Sequence, residues 1–243
     1  MAFSSINTIA AFNNNKTTQV SLLNYFYPFT NSSDLNNGYI LNYSTNLYDL
    51  SAVNITSSNF YANGMYFPNS TPSGSPGSYC INSSVIVNTQ FTIIQKYNIN
   101  TWGSSRRLFT LRTAANLSGI NIRLATSGIL TSQQTKAAGT LQSSVSFSTN
   151  NSDTLVCIYS PNNYTVYTNA NSAGTSLGSP ETSISYKTNM IIVIGTLLQT
   201  SIVANNNFSN ADTNQLISSF RFYNRALTPS EITGALSGTY PSS

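Results

Sequence analysis

The sequence predicts an all-β fold, two antiparallel sheets packed face to face as a jelly-roll sandwich, with one short helical turn near the C-terminus. Three observations carry this. Apolar residues come in short runs, about 8–15 residues apart and broken by Asn, Gly, Ser and Pro, which is the rhythm of strands and turns. Aromatic residues make up 12% of the 243 residues and charged residues only 7%, far below the roughly 25% of an average domain. That balance supports a core and argues against disorder. The third observation is Leu216-Ile-Ser-Ser-Phe-Arg-Phe-Tyr-Asn-Arg-Ala-Leu-Thr-Pro-Ser-Glu-Ile232, which reads as a strand, a tight exit and a capped helical turn. Alternation puts Leu216, Ser218, Phe220 and Phe222 on one face and Ile217, Ser219, Arg221 and Tyr223 on the other. Thr228-Pro229-Ser230-Glu231 is a capping box with proline at the first helical position.

Residues 1–19 read as an N-terminal arm or irregular first strand, residues 20–236 as a single sandwich domain, and residues 237–243 as a tail. Val20 to Phe29 is the first strong strand. Asp34 to Gly38 is turn chemistry, and Tyr39 to Tyr43 a short strand. Phe60 to Phe67 is strand-like but holds Asn63-Gly64, so it bends or splits there. Asn69 to Ser78 is a Pro/Gly/Ser loop. Tyr79 to Val87, Phe91 to Tyr97, Arg106 to Arg112 and Gly119 to Ala125 follow as short strands. Thr131 to Gly139, with its Gln, Lys and Ala, reads as a loop with a helical turn. Leu141 to Ser148, Thr154 to Tyr159 and Tyr164 to Thr168 are strands, and Asn169 to Pro180 is a loop. Ser183 to Tyr186, Met190 to Leu198 and Leu216 to Tyr223 complete about a dozen strands, with no linker and no fixed-period repeat.

Composition excludes several function classes. Ten basic and six acidic residues give a net charge of +4, but the basic residues are scattered and Arg106-Arg107 is the only adjacent pair. No nucleic-acid-binding stripe is present. The longest apolar run, Met190 to Ile194, is far below the roughly 20 residues of a membrane span, and residues 1–19 lack a signal-peptide pattern. Asn-x-Ser/Thr sequons occur about as often as chance gives, so they carry no evidence of glycosylation. Histidine is absent, which removes Ser-His-Asp and Cys-His catalysis. The carboxylates are Asp34, Asp49, Asp153, Glu181, Asp212 and Glu231, with no Glu-x-Asp or Glu-x-Glu pair to set two acids on one strand face as a glycosidase requires. An enzyme is not expected. Cys80 and Cys157 are too few for a disulfide scaffold or a zinc site; they form either two buried thiols or one bridge. A charge-poor Asn/Ser/Thr surface repels itself weakly and suits packing against copies or partners; codon bias towards Asn, Ile and Tyr is the other source of such a composition.

The order of these segments resembles the laminin-G-like branch of the concanavalin A-like lectin/glucanase superfamily. Leu22-Leu-Asn-Tyr-Phe-Tyr-Pro-Phe29 looks like its opening strand, Gly64-Met-Tyr-Phe67 like its next core strand, and Phe91-Thr-Ile-Ile-Gln-Lys-Tyr97 like its Phe-Thr-Ile strand. Thr154 to Tyr167 looks like a family hairpin, and Ile191-Ile-Val-Ile-Gly195 like a strand ending in Gly. Ile217 to Ile232 matches most closely, through Phe220, Arg221, Tyr223, Asn224, Arg225, Leu227, Thr228 and Glu231, which are expected to be structural. The resemblance implies recognition of carbohydrate or protein, sometimes with calcium at the rim. This chain has Ser218-Ser219 where many relatives carry acidic residues. No carboxylate cluster supplies the 6–8 oxygen ligands calcium takes, and Asp212 is the only visible start, so no cofactor is expected.

One loop is a candidate contact site. Tyr97, Asn98, Asn100, Trp102, Arg106 and Arg107 surround the only tryptophan, with an aromatic to stack on a sugar, amides for its hydroxyls and two cations. Equally, Trp102 plugs a core edge or a subunit contact. The leading expectation is a non-enzymatic structural or interaction module, a minor capsid or surface component of a virion that packs as a homo-oligomer or against other structural proteins. The alternative is a lectin-like, glycan-binding domain of a secreted or cell-surface protein, and a decayed glucanase comes last. Neither nucleic acid nor membrane insertion is expected.

Overall fold

A computed structural model describes residues 23–44, 49–67, 78–99, 107–113, 118–126, 128–135, 141–178, 187–195 and 215–241. In chain order the strands are β1 (Leu23–Pro28), β2 (Leu35–Asn36), β3 (Tyr39–Ile40), β4 (Leu50–Val53), β5 (Phe60–Tyr61), β6 (Gly64–Tyr66), β7 (Tyr79–Val87), β8 (Phe91–Ile99) and β9 (Arg107–Thr113). Then follow β10 (Gly119–Thr126), β11 (Ile129–Thr135), β12 (Leu141–Ser148), β13 (Ser152–Ser160), β14 (Asn163–Thr168), β15 (Asn171–Ser176), β16 (Lys187–Ile194) and β17 (Gln215–Tyr223), closed by helix α1 (Pro229–Leu236).

The strands form two antiparallel sheets. The eight-stranded sheet runs β15-β14-β13-β8-β17-β6-β5, with β1 also on β17. β17 therefore lies between β8 on one side and, on the other, β6 along its first residues and β1 along its last. The nine-stranded sheet runs β12-β11-β10-β9-β16-β7-β4-β3-β2. Alternate side chains of both sheets meet in one core, as a sandwich requires. Phe91 stacks between Tyr159 and Phe222, with ring centroids 4.7 and 5.3 Å away, and Phe109 meets Phe220 edge-on across the sandwich at 5.8 Å. Cys80 and Cys157 are buried free thiols, one in each sheet. Burial pushes both thiols up, Cys157 to about 12.

Three expectations are corrected. Thr131 to Gly139 begins as strand β11 rather than a loop with a helical turn. Its core-facing positions, Ser132 and Gln134, are polar, so apolar alternation is missing; Ser132 Oγ instead donates to Tyr164 Oη at 3.0 Å. Asn171–Ser176 is strand β15, not loop, and its polar residues suit a sheet edge. In β17 the strict alternation fails. The register with β8 shifts between Ile217 and Ser219, so Ile217 faces the core together with Phe220 and Phe222. Ser218-Ser219 is thus a β-bulge, and Ser218 Oγ donates to the carbonyl of Asn63. The expected split at Asn63-Gly64 is the turn between β5 and β6. β2 and β4 are strands that the sequence pattern does not announce. The N-terminal arm and the segment Ser183 to Tyr186 lie outside the described residues.

Candidate functional site

The two outer faces of the sandwich differ. That of the eight-stranded sheet is filled by the chain's own C-terminal segment. Leu227, Ile232 and Ala235 of the α1 region pack on Ile94, Val156 and Tyr223, with Ile158, Tyr167 and Tyr240 at the margin. The closing motif builds this cover. Arg221 lies between two rings, its guanidinium 4.1 Å from the Phe26 centroid and 3.7 Å from that of Tyr240, and Nη1 donates to Ser219 Oγ at 3.0 Å. Tyr223 Oη donates to the Pro241 carbonyl at 3.4 Å, so residues placed in a tail by the sequence pack back on the sheet. Asn224 accepts from Asn88 at both its side-chain and main-chain oxygens, 3.2 Å each. Arg225 and Glu231 form a bidentate pair at 2.5 and 2.7 Å, and Thr228 and Glu231 complete the capping box.

The outer face of the nine-stranded sheet carries a different chemistry. In β9, β10 and β16 the core takes Phe109, Leu111, Ile120, Ile122, Ile192 and Ile194. Their alternates face outwards, and register lines them up across strands: Ile81, Val193, Thr110, Asn121 and Gln133 form one row. On one flank Arg107 lies directly opposite Arg123, which pairs in turn with Thr131. On the other flank Ile191, Arg112 and Gly119 are neighbours. A bulge produces the first flank. The register shifts between Ile122 and Arg123, so Leu108 and Phe109 both enter the core and Arg107 turns out beside Arg123. Gly119 makes room for Arg112: a Cβ there would stand 2.0 Å from the Leu111 carbonyl oxygen and 2.9 Å from Arg112 Cγ. The face thus has an apolar half, Ile191 and Val193 with Tyr79 and Ile81, and a polar half with three guanidiniums.

Most of this face is closed to solvent: Thr110 is 0% exposed, Val193 1% and Ile191 2%. Arg112 is 5% exposed and Asn121 1%, while Arg107, Arg123 and Gln133 are half-buried. Burial, then the like charges of Arg123 and Arg112, pull the Arg107 guanidinium down to about 10; burial also lowers Arg112. Asn121 Oδ1 and Arg123 Nε are buried atoms without a hydrogen-bond partner. An acceptor and a donor are thereby left over beside concentrated positive charge.

Of the loop expected from sequence, Asn100, Trp102 and Arg106 lie outside the described residues. Tyr97 is 0% exposed, in the core, with its hydroxyl bonded to Thr149 Oγ1, which corrects its place in a surface contact. Asn98 is half-buried and pairs with Ser152 and Leu216 in the ladder. Arg107 stays at the surface, but its company is Arg112 and Arg123 rather than aromatics. The missed residues are a turn or a strand away in sequence, and only register reveals them.

Among the described residues no three His, Cys, Asp or Glu side chains gather as a metal site requires. Asp212 lies outside these residues. The described carboxylates are engaged structurally. Asp153 accepts from Thr149 Oγ1 and the amides of Asn150, Thr154 and Asn169 at 2.7 to 3.0 Å. Tyr43 Oη donates to Asp34 at 2.6 Å, and Asp49 accepts from the Asn42 amide at 2.7 Å. No described helix is long and apolar enough to cross a membrane.

A family model for the concanavalin A-like lectin/glucanases superfamily matches residues 73–233. Among solved structures, the chain is similar to the Trypanosoma rangeli sialidase in complex with sialic acid: 15% identity, TM-score 0.57, covering 96% of this chain and 38% of that one. It is also similar to botulinum neurotoxin type C, whose cell entry depends on interaction with two ganglioside molecules, at 16% identity and TM-score 0.59, covering 96% and 53%. The binding domain of botulinum neurotoxin serotype D/C gives 14% identity and TM-score 0.62, covering 94% and 53%. At these identities the likeness is one of fold, and the chain spans 38% to 53% of those proteins' lengths. No curated protein matches the sequence.

Proposed function

The chain belongs to the concanavalin A-like lectin/glucanase superfamily, and from that premise we propose that it is a lectin-like, non-catalytic binding module. The observation that carries this is the fold itself: the superfamily match spans residues 73–233, and the two-sheet sandwich is similar in fold to botulinum neurotoxin type C, whose cell entry depends on gangliosides. The sialidase with its sialic acid and the type C neurotoxin with its gangliosides set carbohydrate first among ligands. The absence of histidine and the structural engagement of Asp34, Asp49, Asp153 and Glu231 support a module without catalysis. Such a module suits a secreted or surface protein.

A glycan array probed with the purified chain tests this reading. Binding of a defined subset of glycans is expected, and bound glycans should be recovered unchanged. An array with no bound glycan overturns it. A second reading, a virion component packing against copies, rests on the charge-poor surface, with only 7% charged residues. Mass photometry separates the two, since a strictly monomeric chain removes the assembly reading.

A further inference from the structure

The C-terminal cover does not span the whole outer face of the eight-stranded sheet. Register divides that face into rows. Phe26, Arg221, Ile94, Val156 and Tyr167 form one row, and this is the row on which α1 and Tyr240 lie. Two residues further along the strands come Ser219, Lys96 and Thr154, and beyond them Tyr66, Leu216, Asn98 and Ser152. Met65, Ile217 and Tyr97 beside this last row enter the core, so alternation turns Tyr66, Leu216 and Asn98 outwards. Solvent reaches them. Lys96 and Ser152 are exposed, and Tyr66, Leu216 and Asn98 are half-buried. Tyr61, 53% exposed, extends the row. It stands opposite Gly64, two residues from Tyr66, which makes the two tyrosines diagonal neighbours about 7–8 Å apart on one face.

Size and chemistry select the occupant. The row crosses five strands, from β5 to β13, a length of about 19 Å, and with the row beside it the footprint is roughly 250–300 Å². A stable protein interface takes about 800 Å² from each partner and has an apolar centre. Here Leu216 is the one aliphatic side chain in its row, set among two phenols, an amide and a hydroxyl, with the Lys96 ammonium alongside. The face is too small and too polar for a second copy, but it matches a sugar chain. Tyrosine rings take the C–H faces of sugars, and an amide and a hydroxyl both give and accept hydrogen bonds with sugar hydroxyls. We propose that this uncovered row binds an extended oligosaccharide laid across the strands, its rings on Tyr61 and Tyr66 and its hydroxyls at Asn98 and Ser152. The proposal rests on the lectin-like reading and gives it a face and a ligand shape, a chain rather than a single ring.

Calorimetry on the full chain tests it. The probes are the mono-, di-, tetra- and hexasaccharides of the β-glucose, N-acetylglucosamine, α-mannose and lactosamine series, and the same lengths of the glycan that the array binds most tightly. In a series that binds, affinity should rise about tenfold or more from mono- to tetrasaccharide and level off once the row is filled. Tyr61→Ala should weaken the hexasaccharide about fivefold with Tm kept, because the side chain is exposed. Tyr61→Phe keeps the ring and should keep the binding. Asn98→Ala should also weaken it about fivefold. Ile86→Ala, at an exposed position of the other sheet, should change nothing. Hexasaccharide binding that survives Tyr61→Ala and Asn98→Ala together overturns the proposal while the lectin-like reading stands, and so does equal affinity for mono- and hexasaccharide. Binding to no saccharide, in these series or on the array, overturns both. Self-association of the chain that Tyr61→Ala abolishes also overturns the proposal, since the face then serves a second copy.

Discussion

Glu231 shows how much one side chain can carry in a protein with so few charges. Its carboxylate accepts from the Thr228 amide at 2.8 Å and from Thr228 Oγ1 at 3.0 Å while it holds Arg225 in the bidentate pair. The Arg225 guanidinium first, then the Thr228 donors, holds its carboxyl at about 2, against an ordinary 4.5. A carboxyl lowered by folding adds stability above its unfolded value and loses it as pH falls through the folded one. Glu231→Gln should therefore cost about 1 kcal/mol at neutral pH, the size of a cap or a good surface pair, and almost nothing at pH 2. Urea midpoints of both proteins across that range would show it; a difference independent of pH would sink the assignment. Gly119 works by absence instead. Gly119→Ala drives a methyl into the Leu111 carbonyl and the Arg112 stem, and should lower stability by about 1–3 kcal/mol in the same assay.

Elements were legible where burial alternates and illegible where polar residues face inwards. Tyr79–Val87 and Leu141–Ser148 stand at the boundaries their sequence suggests. β11 escaped because Ser132 and Gln134 occupy core positions, and β15 because an edge strand needs no apolar pattern. Ser218-Ser219 reads from sequence as a place where acids are missing; it is a bulge that the β5–β6 turn closes over. Gly64 makes that closure possible, at φ +142° and with a would-be Cβ 2.8 Å from the Ile217 carbonyl oxygen. Gly38 also has positive φ, at +82°, but nothing within 4 Å. Gly64→Ala should therefore destabilise by about 2 kcal/mol or more, against about 1 for Gly38→Ala. Equal costs in denaturant titrations would mean that β6 does not rest against the bulge. The arginine face was out of reach for a related reason: its members meet only through a register that the bulge at Leu108 resets.

At the scale of the molecule, the sandwich class was legible because the closing motif and the order of strand runs both specify it, whereas the covering of the outer face of the eight-stranded sheet depends on where α1 settles. The thiols report on whether the two sheets are one unit. Cys80 lies in one sheet and Cys157 in the other, both buried and both held protonated. A thiol reagent should label both cysteines only through global opening, and therefore at a single slow rate. Faster labelling of one would mean that its sheet opens alone. β17 has a consequence for synthesis. It is the interior strand that joins β8 to both β6 and β1, and it is made last. At about 5–20 residues per second, a ribosome needs roughly 10–40 s to go from β1 to β17. Throughout that interval the edges of β1 and β8 that face β17 lack their sheet partner, although Phe26 already has Asn42 and Tyr43 on its other side. Cellular yield should thus depend on how well chaperones shield those two edges until β17 emerges.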